Sequence, residues 1–112
     1  MSAGDWKELY SAASSGNLSL VQYHISNGVN PNYQHPEILA TPLLAAINND
    51  HIDIAKYLLN NGADPYLLSE FDNMTALQAA KHYNKPELVE LIQTAFPKPS
   101  LLEKIFKFLK KP

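Results

Sequence analysis

The sequence predicts an all-α fold, a solenoid of three helix pairs with turn or hairpin fingers projecting between them and one further helix at the C-terminus. Three observations lead there. Shifting the 112-residue chain on itself by 34 places Leu9 on Leu43 and Leu77, Ala12 on Ala46 and Ala80, and Leu20 on Ile54 and Leu88. The same shift lays Gly28-Val29-Asn30-Pro31 on Gly62-Ala63-Asp64-Pro65. A fixed offset of this size marks stacked repeats, each unit burying its apolar face against its neighbours. Within each unit the apolar residues fall at helical spacing in two short runs, and the last residues form a separate amphipathic segment.

The middle unit, Thr41 to Pro65, shows the logic of one repeat. Thr41 can accept from the free amides of a helix start, Pro42 suits the first helical position, and Leu43, Ala46 and Ile47 give an inward stripe about two turns long. Asn48-Asn49-Asp50 closes that helix. A second helix from about His51 to Asn60 groups Ile54, Ala55, Leu58 and Leu59 on one side. Gly62 stands where a left-handed helix stop is needed, and Pro65 turns the preceding residue away from helix.

Thr41-Pro42-Leu43, Ala46, His51, Leu58-Leu59 and Gly62-Ala63-Asp64 together resemble the ankyrin repeat. The resemblance spans roughly residues 5 to 96 in three copies. It implies an ankyrin-repeat domain over residues 1–96, with repeats at about 5–38, 39–72 and 73–96, followed by a proline-containing spacer and basic helix at 97–112. The outer copies depart from the pattern. The first has Lys7-Glu8-Leu9 for the Thr-Pro-Leu start, and the third has Thr75-Ala76-Leu77 and lacks the closing Gly-Ala-Asp. Leu44 and Gln78 stand where the family usually has a histidine, so that side chain's usual hydrogen bonding is lost. A tetratricopeptide array shares the period, but the Thr-Pro-Leu start and Gly-Ala-Asp-Pro stop fit it poorly.

In the first unit Asp5 to Ser15 reads as a helix, with Trp6, Leu9, Tyr10, Ala12 and Ala13 available for packing. Trp6 is expected to cover the open end of the stack, since a terminal repeat must shield its outer face. Leu18 to Asn27 forms the partner helix, and His24 is expected to be a packing or surface residue. In the third unit Ala76 to His82 and Lys85 to Thr94 pair up, turning Leu77, Ala80, Leu88, Val89 and Ile92 inward. Pro86 is tolerated in the first turn of its helix.

The composition sets limits on function. There is no cysteine, which excludes disulfides, thiolate metal sites and thiol catalysis. The N-terminus carries no secretion signal and no apolar run reaches membrane-span length, so a cytoplasmic protein is expected. Residues 1–97 hold four lysines against ten acids, a net −6, whereas residues 98–112 hold five lysines against Glu103, a net +4. Arginine is absent, which argues against a nucleic-acid groove. No phosphate loop, nucleophile elbow or zinc-helix signature is present. His51 and Asp53 could be read as a metal pair, but no third ligand follows at a useful spacing. Neither a catalytic residue nor a cofactor is expected.

Binding is what remains. The fingers are residues 32–40 and 66–74, and loops on one side of a solenoid commonly form its contact face. The ankyrin resemblance adds the outward positions of each first helix, here Ser14-Ser15, Asn48-Asn49 and His82-Tyr83. The candidate partner-binding set is Tyr33, His35, Glu37, Asn48, Asn49, Tyr66, Leu68, Glu70, Phe71, His82 and Tyr83. Aromatic side chains give contact area at low entropic cost. Phe71 and Tyr83 are expected to meet a partner, whereas Tyr66 and Leu67 could equally brace the fingers. Glu37, Glu70 and Asp72 favour a basic partner surface. A monomeric adaptor or inhibitor that binds another protein is the expected function.

The tail, Ser100 to Pro112, opens with the capping pair Ser100 and Glu103. On a helical projection Leu101, Leu102, Ile105, Phe106, Phe108 and Leu109 share one arc, and Glu103, Lys104, Lys107, Lys110 and Lys111 the other. Burying four of the six apolar residues contributes on the order of 8 kcal/mol gross, so they should find cover. Three covers are open to them: the exposed end of the third repeat, an anionic membrane surface that would make the chain a membrane-associated scaffold, or a groove on a partner.

Overall fold

The computed structural model describes residues 4–98 together with 105, 108 and 109. Its six helices are α1 (Trp6–Ser15), α2 (Leu18–Ser26), α3 (Pro42–Asn48), α4 (Ile52–Asn60), α5 (Ala76–His82) and α6 (Pro86–Ala95). These are the expected pairs, with ends moved by a residue. The predicted start of the tail helix at Ser100 and Glu103 lies outside the described residues.

Local chemistry fixes the starts of three helices. Asn17 accepts from the Leu20 amide, Thr41 from Leu44, and Thr75 from Gln78, so each side chain satisfies one free amide of a first turn. In the third unit Gln78 Oε1 also accepts from the Thr75 amide at 2.9 Å, closing a reciprocal box. Gln78 therefore replaces the family's histidine with a different lock on the same turn. The stops are equally regular. Gly16, Asp50 and Asn84 end the first helix of each unit at φ 89°, 62° and 55°, and Gly62 leaves α4 at φ 101° as its sequence position requires. Asp and Asn are the side chains that best tolerate this left-handed backbone.

The helices form two rows. α1, α3 and α5 pack side by side in the first row, and α2 and α4 touch in the second. One apolar core runs through all three units, with Leu9, Val21, Leu43, Ile47, Ile54, Leu58, Leu88 and Ile92 buried. Each such side chain contributes roughly 1.5–3 kcal/mol on burial, so the core and not helix propensity holds these short helices. Polar ties reinforce the stacking. Lys85 Nζ lies 2.6 Å from Asp50 Oδ1, and Lys56 pairs with Glu87 across α4 and α6. The Lys85 ammonium, by hydrogen bond and then by charge, holds the Asp50 carboxyl below its usual range.

Both ends of the stack are polar. Gln78, Lys81 and Gln93 are exposed, whereas Leu44, Ile47 and Leu59, one offset earlier, are buried against the third unit. At the other end Glu8 and Ser11 are exposed where Pro42 and Ala45 are buried. His24 occupies the core position of Leu58 and Ile92 yet is only 2% exposed. Its Nε2–H donates to Glu8 Oε1 at 2.8 Å, which satisfies a polar group that burial would otherwise penalise. Trp6 is used differently from the expected end cover: its indole stacks on His35 of the first finger, 4.3 Å between centroids at 14°. The end needs no aromatic lid because its own side chains are hydrophilic.

Candidate interaction surface

Two fingers and the first row of helices make the surface. The first finger leaves the buried Pro31 and turns at His35, whose carbonyl accepts from the amides of Ile38 (3.0 Å) and Leu39 (2.8 Å). The second leaves the buried Pro65 and folds back where the Ser69 amide donates to the Met74 carbonyl at 3.0 Å. Leu39 and Asn73 hold the same left-handed place in the two fingers, at φ 57° and 53°. Asparagine accepts that backbone readily, whereas leucine is strained there.

Side-chain amides join the fingers. Asn32 donates to the Gly62 carbonyl (2.9 Å) and accepts from the Asp64 amide (2.8 Å). Gln34 repeats this one step further out, donating to the Leu68 carbonyl (2.9 Å) and accepting from the Glu70 amide (3.2 Å). At the tips the Phe71 amide donates to the Leu39 carbonyl at 2.9 Å. Each amide side chain thus imitates a strand neighbour and satisfies backbone groups that the isolated finger could not pair.

A carboxylate sits between the fingers and the helices. Asn48 Nδ2 donates to Asp72 Oδ1 at 2.9 Å, and the buried Ser69 hydroxyl donates to Asp72 Oδ2 at 2.7 Å. Tyr10 of α1 lies close enough that burial, and then the Asp72 charge, push its phenol upward from its usual pKa. Asp72 is therefore fixed by two donors while keeping its charge. None of the ion pairs among the described residues involves Asp72, Glu37 or Glu70.

The residues singled out from sequence fall into two groups. Tyr33, His35, Asn48, Asn49 and Tyr66 brace the surface. Tyr33 and His35 gather on Trp6, Asn49 donates to the Ala45 carbonyl at 2.8 Å, and the Tyr66 hydroxyl donates to the Phe96 carbonyl at 2.6 Å. Glu37, Leu68, Glu70, Phe71, His82 and Tyr83 are exposed, with Phe71 at 75%. His82 and Tyr83 lie edge to face at 4.8 Å. Sequence reading passed over Asn32, Gln34, Leu39 and Tyr10. The alternation of Asn32 and Gln34, two apart in an extended finger, was the available signal for the first two. Of the tail set, Ile105, Phe108 and Leu109 are helical and 47%, 72% and 72% exposed, while Leu101, Leu102 and Phe106 lie outside the described residues.

Among the described residues no three histidines or acids gather as a metal cage, and no helix is long and apolar enough to cross a membrane. The hollows are open ones, such as that between α5 and α6 lined by Lys81, Asn84, Lys85, Val89 and Gln93. The family model for ankyrin repeats in three copies matches residues 9–99. The chain is 44% identical over 57 residues to a palmitoyltransferase, AKR1, of Lachancea kluyveri, covering 51% of this chain and 8% of that protein. It is 33% identical over 79 residues to the putative ankyrin repeat protein R664 of Acanthamoeba polyphaga mimivirus, covering 70% of this chain and 48% of that one. It is 34% identical over 86 residues to the putative ankyrin repeat protein FPV230 of fowlpox virus, covering 67% and 46% respectively. The chain thus spans about half the length of the two viral relatives and a small part of the palmitoyltransferase.

Proposed function

The chain belongs to the ankyrin-repeat family, and from that premise we propose that it is a non-catalytic adaptor or inhibitor holding one partner protein against its fingers and first-row helices. Ankyrin repeats are generally protein–protein interaction modules whose stacked units present an extended face. One observation carries the assignment of the face. Phe71 stands 75% exposed at the tip of a finger whose backbone is fixed by Gln34 and Leu39. A rigid, exposed aromatic loses little entropy when a partner covers it, and covering a phenylalanine contributes roughly 1.5–3 kcal/mol. Leu39, Leu68 and Tyr83 extend the apolar patch, and Glu37, Glu70 and Asp72 give it negative charge. A partner surface with an apolar centre and lysine or arginine at its rim is complementary. A cytoplasmic monomer is part of this proposal.

The test is quantitative capture of the source cell's proteins on immobilised full-length chain, followed by the double variant Phe71→Ala/Tyr83→Ala. The variant should retain at most about a tenth of the captured partner, since two such side chains supply about 2–4 kcal/mol at an interface centre. Its melting temperature should stay within about 2 °C of the parent, because surface substitutions change stability little. Undiminished capture by the double variant would remove the finger face from consideration.

A further inference from the structure

The third repeat ends the stack without help. Gln78, Lys81 and Gln93 are exposed where the second repeat buries Leu44, Ile47 and Leu59, so no comparable apolar face waits there for a cap. The tail is apolar on one side all the same. Ile105, Phe108 and Leu109 are helical and face solvent.

We propose that this segment is a membrane-surface element, an amphipathic helix that lies on an anionic lipid bilayer with its apolar side among the acyl chains. Projected at 100° per residue, Leu101, Leu102, Ile105, Phe106, Phe108 and Leu109 occupy an arc of about 160°, and every charged residue falls outside it. Lys104 and Lys110 flank the arc, where their stems can follow it inward while the ammonium groups stay at phosphate level. The segment from residue 98 onward carries five lysines and one acid, and each lysine near an anionic surface contributes attraction that falls off within a Debye length. The repeats carry the opposite sign, four lysines against ten acids in residues 1–97. An anionic surface therefore draws the tail and repels the repeats, and Pro97 and Pro99 set a stiff spacer between them. The repeats and their finger face would then stand clear of the bilayer, available to a protein partner. A second copy of the chain is the competing occupant, since its acidic fingers also complement the tail.

Co-sedimentation of the full chain with phosphatidylcholine vesicles, with and without phosphatidylglycerol, tests this directly. The chain should pellet with the mixed vesicles at low salt, stay in solution with neutral ones, and be released by added salt. Ile105→Glu/Phe108→Glu should abolish pelleting while leaving the melting temperature unchanged. Lys107→Gln/Lys110→Gln/Lys111→Gln should weaken it on the order of a hundredfold at low salt. Phe71→Ala/Tyr83→Ala should bind vesicles as the parent does, which separates this inference from the finger-face assignment. Failure to pellet with anionic vesicles overturns the proposal. So does a steep fall in melting temperature for Ile105→Glu/Phe108→Glu, which would make the tail part of the folded stack. A dimer in light scattering that the same variant dissociates assigns the apolar side to a second copy and likewise overturns it.

Discussion

Gly16 meets two constraints at once. Its backbone stands at φ 89°, and a Cβ built there would lie 2.6 Å from the ring of His51 in the next unit. Asp50 and Asn84 hold the corresponding turns with ordinary side chains, so the backbone alone does not demand glycine. The close approach of His51 does. Gly16→Ala should therefore destabilise the chain by roughly 1–3 kcal/mol, measured as a drop in urea midpoint. Adding His51→Ala should recover the steric part and leave the backbone part. Equal midpoints for Gly16→Ala and parent would mean that the imidazole moves aside freely. His24 teaches the complementary lesson, because a polar residue takes a core position once Glu8 supplies its partner.

The fingers depend on one another more than on themselves. Asn32 and Gln34 each satisfy a carbonyl and an amide of the second finger, and the Phe71 amide closes the tips. Each such bond is worth about 0.5–1.5 kcal/mol net. In Asn32→Ala/Gln34→Ala the amides of Asp64 and Glu70 should exchange with deuterium about fivefold to tenfold faster, while the helices keep their protection. Unchanged exchange at those two amides would show that the side-chain bonds do not hold the fingers. The same argument explains why the binding face can be stiff although it contains little regular secondary structure. A stiff face loses less entropy on association.

Across the whole molecule the decisive feature is the pair of polar ends. A solenoid grows wherever an apolar face is left open, and this one stops because Gln78, Lys81 and Gln93 replace the buried Leu44, Ile47 and Leu59. Gln78→Leu/Lys81→Ile/Gln93→Leu should reopen the face. The expected result is association that rises with concentration, read as mass by light scattering, as an apolar patch of this kind seeks another. A strictly monomeric triple variant would show that the side chains do not terminate the stack. Charge is divided at this scale too, with the acids on the repeats and the lysines gathered in the tail.

The sequence by itself determined the three units, the six helices to within a residue or so, and the inward stripe, because period and apolar spacing are local properties that survive without coordinates. Phe71 and Tyr83 were legible as exposed aromatics for the same reason: each lies on a finger or outward turn whose place the period fixes. Only the tertiary structure decided which candidates brace and which stay open. Trp6 could not be assigned to the first finger, nor Asn32 and Gln34 to the second, since those contacts join residues far apart in the chain or in different units. Terminal polarity lies between the two. Gln78, Lys81 and Gln93 stand in plain sight at the offset of Leu44, Ile47 and Leu59, but their meaning appears only when burial shows what the earlier residues press against.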